Sequence, residues 1–184
     1  MSHRRVVFRQ PVGPAEFGEF CTGRGWRYDG GQPAAEGEPA EYVWRTPDGV
    51  EVHWIDDNVL HLVYVLVIGE QPFDVEMAIR MAYQDIAPDE AVAEFAGATD
   101  WPDRVLALSL VAATAPEAFS QATFDAIAAG LADEHEAVRH KAVLATFYAP
   151  WRELLPALEK VAAGDPYQPA RDTARIAVDT VKAG

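Results

Sequence analysis

The sequence predicts an α+β chain in two parts: a small antiparallel sheet with two helices over residues 1–86, then an array of three helix pairs over 87–184. Three observations predict it. Residues 1–86 hold six alanines and residues 87–184 hold twenty-six, so the strongest helix former is concentrated in the second part. The run VLHLVYVLVI (59–68) is apolar almost throughout and of strand length, and a hairpin signal precedes it. A segment that opens with Asp and contains R-x-x-A recurs at Arg104, Arg139 and Arg171. The spacings are 35 and 32 residues, as a helix-pair repeat requires.

The elements follow in order. RRVVFRQ (4–10) is rich in β-formers and is broken by Pro11, Gly13 and Pro14; PAEFGEFCTGRG (14–25) then reads as a short helix ending in glycine. WRYDG (26–30) is a strand, and GGQPAAEGEP (30–39) has loop composition. EYVWRT (41–46) and VEVHWID (50–56) flank Pro47-Asp48-Gly49, where glycine supplies the positive φ of a tight turn. In the second of these strands Val50, Val52 and Trp54 share one face. Asp56-Asp57-Asn58 reads as a solvated turn into the apolar strand 59–68. Such a strand calls for cover on both faces, from a helix on one side and from the second half or a second copy on the other. FDVEMAIRMAYQDI (73–86) is a helix whose covering stripe is Phe73, Met77, Met81 and Ile86.

Beyond Pro88 the pattern is helix, turn, helix, three times. PDEAVAEFAG (88–97), PEAFSQATFDAIAAGLA (116–132) and PWRELLPALEKVAAG (150–164) are the first helices, with Pro88, Pro116 and Pro150 suited to a first turn. DWPDRVLAL (100–108), DEHEAVRHKAV (133–143) and DPYQPARDTAR (165–175) open the second helices. Their Asp-to-Arg gap is four residues in the first unit and six in the other two, the degeneracy of a terminal repeat. The second half therefore resembles a HEAT-type repeat array. The resemblance implies a curved helical stack with an extended concave surface made by second helices, and it implies nothing about a reaction.

Composition narrows the function. With Lys+Arg 15 against Asp+Glu 29 the net charge is −14, which disfavours phosphate backbones and anionic membranes and favours a basic protein partner. No apolar run is long enough for a bilayer and the N-terminus lacks a signal-peptide pattern, so a cytoplasmic location is expected. One cysteine, Cys21, excludes an internal disulfide and reads as buried packing.

DEHEAVRHKA (133–142) superficially resembles a zinc-protease helix. His135 and His140 are five residues apart, which swings them about 140° around a regular helix, so they cannot converge on one metal. Asp133 reads instead as a helix N-cap with Glu136 completing a capping box. HEAT-type iron hydroxylases use several His-Glu pairs, and this chain has only His135-Glu136. Ser109 and Ser120 lack a nucleophile elbow, and no phosphate-binding glycine loop occurs. No catalytic residue, cofactor or metal is assigned. Arg104, Arg139 and Arg171 are expected to pair with turn aspartates of their own or the adjoining unit.

The expected function is a non-enzymatic protein-binding or adaptor module. Its candidate partner-binding residues are Arg139, His140, Arg171 and Arg175 on second helices, with Tyr148, Trp151 and Tyr167 around the last two turns. The alternatives are an enzyme or small-ligand binder using a cleft between the halves, and a homodimer that buries the apolar strand.

Overall fold

The computed structural model describes residues 2–183, and the chain divides into two compact units, Met1–Ile86 and Ala87–Gly184. The first unit runs β1 (Ser2–Val7), α1 (Pro14–Gly23), β2 (Arg27–Gln32), β3 (Ala40–Arg45), β4 (Glu51–Asp57), β5 (Leu62–Gly69) and α2 (Phe73–Ala82). The five strands form one antiparallel sheet in the order β1-β5-β4-β3-β2. The β3–β4 hairpin closes where the sequence places it. Gly49 takes φ 83°, the Thr46 amide donates to the Val50 carbonyl at 2.9 Å, and the Val50 amide donates to Thr46 Oγ1 at 3.0 Å.

Alternation along the strands puts Trp44, Val52, Trp54, Val65 and Val67 into one core with Phe17 and Cys21 of α1 and Ile79 of α2. Both helices therefore serve the same face of the sheet. Aromatic rings fill this core: Phe17 meets Trp44 edge-on at 5.4 Å, and the Trp54 indole N–H donates to the Val12 carbonyl at 2.8 Å. The Cys21 thiol, expected as packing, is buried there, and burial pushes its pKa up to about 12, against a smaller opposing pull from Arg24.

Two expectations for this unit are corrected. α2 turns its Val75 and Ile79 inward, while Phe73 is 62% and Met81 83% exposed, with Met77 also outside. Both stripes have helical spacing, so periodicity alone does not choose between them; the compact, β-branched pair fills the space over the sheet. The helix also ends at Ala82, earlier than the pattern suggests. Asp57 is buried rather than solvated. Its carboxylate accepts from the Val59 and Leu60 amides at 2.8 and 2.9 Å and from the Tyr64 hydroxyl at 3.2 Å, closing the β4–β5 turn. His61 in that turn holds φ 57°, the left-handed region that suits glycine better.

The second unit contains α3 (Pro88–Gly97), α4 (Trp101–Thr114), α5 (Gln121–Leu131), α6 (Glu136–Ala145), α7 (Leu155–Gly164) and α8 (Gln168–Ala183), with a 3₁₀ turn at Arg152–Leu154 before α7. Three helix pairs, α3/α4, α5/α6 and α7/α8, stack so that α6 lies against both α4 and α8. The second helices thus form one layer. Close approach rests on small residues: Ala107, Ala112, Ala142, Ala145, Ala170, Ala174 and Ala177 are all buried. A Cβ built on Gly130 of α5 would lie 2.9 Å from the Ala142 Cβ and 3.0 Å from Leu108.

Helix starts differ in detail from expectation. Pro88 does open α3, but α5 starts after Ser120, whose Oγ accepts from the Thr123 amide at 3.5 Å, and Pro116 lies outside it. Pro150 likewise precedes the 3₁₀ turn, and Pro156 occupies the first turn of α7. The cap of α6 is His135, not Asp133: its Nδ1 accepts from the Ala137 amide at 3.2 Å.

Candidate functional site

The two six-residue Asp-to-Arg segments build the same local structure. Asp133 Oδ1 accepts from the amide two residues on, that of His135, at 2.8 Å; Asp165 Oδ1 accepts from the Tyr167 amide at 2.8 Å. Each aspartate thereby ties its own turn. The arginine six residues later reaches back to the same turn. Arg139 Nη1 donates to the carbonyls of Asp133 and Glu134 at 3.0 and 2.9 Å, and Arg171 Nη1 donates to the Asp165 carbonyl.

The aspartates also receive the arginine of the preceding helix pair. Arg139 meets Asp165 as a fork, Nε to Oδ2 at 2.6 Å and Nη2 to Oδ1 at 3.0 Å, and both side chains are largely buried. Arg104 meets Asp133 through Nη2 alone, at 2.7 Å from Oδ2. The hydrogen bond from Arg139 holds the Asp165 carboxyl below the usual carboxylate range, outweighing burial, and the Tyr167 amide adds to it. Arg171 turns to its own Gln168.

Aromatic contacts run along the same turns. Trp101 at the start of α4 stacks flat on His135, with centroids 4.4 Å apart and planes 1° from parallel. His140 shares its Nε2 with Thr173 Oγ1 of α8 at 3.1 Å and meets the Tyr167 ring edge-on at 5.8 Å. Burial lowers the His140 pKa, and neighbouring Lys141 lowers it further. His135 and His140 therefore serve different neighbours. No group of three or more His, Cys, Asp or Glu side chains among the described residues is placed to hold a metal ion.

The seven residues singled out from the sequence separate into two sets. Arg139 is committed to Asp165 and its own turn, and Trp151 is only 8% exposed, packed edge-on against Phe119 at 5.3 Å. Arg139 thus makes the turn-aspartate pairing expected of it, and Trp151 is held inside by the turn before α7. His140, Tyr148, Tyr167 and Arg171 are half-buried, and Arg175 is exposed with Asp172 at 2.6 Å. Sequence reasoning missed the exposed apolar members of the second-helix layer. Leu106 of α4 is 57% exposed and Ile176 of α8 is 61% exposed, with Phe147 exposed just after α6. The signal was present for Leu106 and Ile176, since each falls off the alanine-rich buried stripe of its helix.

The sheet unit holds a separate charged ladder on the face opposite its aromatic core. Arg45 pairs with Asp29 at 3.0 Å and Glu51 at 2.7 Å; His53 pairs with Glu41 at 2.7 Å and Glu51 at 3.3 Å. The hydrogen bond from His53, and then Arg45, holds the Glu51 carboxyl below its ordinary range. Its members are cross-strand neighbours on β2, β3 and β4, which is the usual way a sheet face satisfies its charges. No helix of the described residues is long and apolar enough to cross a membrane.

No family model, no curated protein and no solved structure matches this chain.

Proposed function

We propose that this chain is a non-enzymatic protein-binding module, with a HEAT-type array whose second-helix layer engages a basic protein partner. The observation that supports this reading is the layer itself. Three helices lie side by side, and large apolar side chains remain exposed on or just after each: Leu106, Phe147 and Ile176. Exposed apolar residues framed by polar ones are a common feature of protein-binding surfaces. A net charge of −14 would draw a basic partner and repel nucleic acid and anionic membrane, and a cytoplasmic setting belongs to the same proposal. No cofactor is required.

The test is capture of partners by the tagged chain from lysate at low and moderate salt, beside the double variant Leu106→Asp, Ile176→Asp. The reading expects a basic, stoichiometric partner that salt releases and that the folded double variant does not capture. Recovery of the tagged chain with only copies of itself, or of the same proteins by both forms, contradicts it.

A further inference from the structure

The second unit contains a groove of about 540 Å³ lined by Val92, Phe95 and Ala96 of α3, Ala122, Ala126 and Ala129 of α5, and Arg104. Its walls are apolar stripes at helical spacing. Alanine on the α5 side leaves the trough open, since short side chains cannot fill the gap between the two helices.

Arg104 distinguishes this groove from ordinary surface relief. Arg139 uses Nε, Nη1 and Nη2 on protein acceptors, whereas Arg104 has one ion pair, through Nη2. Its Nε is buried without a hydrogen-bond partner, as is Asp133 Oδ2 beside it, so the donor left for a ligand is Nη1, from which no described residue accepts. The cause lies in the sequence. Arg104 follows its turn aspartate by four residues instead of six, so it does not reach back to the turn carbonyls as Arg139 and Arg171 do. Its guanidinium lies over the Phe95 ring at 5.2 Å, and Arg104 lines the groove. The one acidic side chain in the lining, Asp125, is held by Gln121 Nε2 at 2.8 Å.

We propose that this groove binds a small amphiphilic carboxylate, its aliphatic tail against Phe95 and the alanine wall and its carboxylate on Nη1 of Arg104. A guanidinium with an uncommitted Nη1 beside an apolar trough suits that chemical class. The proposal is independent of protein docking on the second-helix layer.

Octanoate is the probe and octanol its uncharged counterpart, titrated into the full chain while the alanine methyl signals are followed by NMR. Ala129→Leu fills the trough from an exposed position and spares the buried core. The expected result is shifts at Ala96, Ala122, Ala126 and Ala129 with octanoate, about tenfold weaker with octanol, and lost in Ala129→Leu. Arg104→Lys, which keeps a cation beside Asp133 but lacks the flat fork, is expected to weaken octanoate while leaving octanol unchanged. Shifts absent at millimolar octanoate, shifts that persist in Ala129→Leu, or equal binding of octanol each overturn the proposal.

Discussion

The sheet unit and the helical unit bury their apolar surface by opposite means. In the first, a few large rings interlock: Phe17, Trp44 and Trp54, with Phe20, Trp26 and Tyr83 at their edges. In the second, alanine backbones press together, and space is limited by single methyl groups such as that of Ala142 beside Gly130. The difference teaches where each unit is vulnerable. A ring core fails when volume is removed, and an alanine core fails when volume is added.

The largest effect belongs to the ring core. Trp54→Ala empties a buried site and strands the Val12 carbonyl it satisfied, and should cost about 3–5 kcal/mol in urea unfolding. A cost below about 1 kcal/mol would show that the sheet unit does not depend on its interlocked rings. Next comes the buried rung of the array. Asp165→Ala leaves Arg139 without its counter-charge and opens the Tyr167 turn, a loss of about 3 kcal/mol.

Glycine substitutions sharpen the contrast within the helical unit. Gly130→Ala places a methyl group against Ala142 and Leu108 and should destabilise by about 1–3 kcal/mol, despite the better helix propensity of alanine. Gly97→Ala, where the added Cβ meets nothing within 4 Å, should stabilise by about 0.5 kcal/mol instead. Equal effects at the two positions would mean that the approach of α5 to α6 is not set by methyl-sized spacing.

The smallest effect is titration. His140 has a lowered pKa in the folded chain, so the unfolded chain binds its proton first. The stability it contributes is full above the unfolded value of about 6.5 and declines as pH falls below it. Asp165 acts with the same sign in a lower window, with stability lost as pH falls through and below about 4. His140→Gln should therefore flatten the melting temperature between neutral and mildly acidic pH and leave the decline near the carboxylate range in place. An unchanged slope would remove burial of His140 from the account.

What the sequence showed, and what it did not, follows the same division. The order of elements in the first unit was readable because turns carried mechanisms: Gly49 had to supply a positive φ, and the apolar run 59–68 had strand length. The Asp and Arg spacing pointed to pairing with turn aspartates of the same or the adjoining unit, and the structure joins Arg104 to Asp133 and Arg139 to Asp165, those of the adjoining one. The buried face of α2 was not readable. Phe73, Met77 and Met81 have the same helical spacing as Val75, Ile79 and Tyr83, and only the shape of the sheet decides between them. The burial of Asp57 depends on neighbours far less visible than its own residue type, which favours solvated turns. The groove beside Arg104 was invisible for a related reason: a two-residue change in spacing re-aims a side chain, and its destination is a property of packing.

Continuity of the second-helix layer depends on neighbouring helix pairs being coupled through the buried Arg–Asp rung. A double-mutant cycle on Arg139→Met and Asp165→Leu, read by urea unfolding, tests that most directly. The account predicts a coupling energy of about 1 kcal/mol or more, with the double variant more stable than the sum of the single losses implies. Strictly additive losses would contradict it, because the two side chains would then be stabilising the array separately.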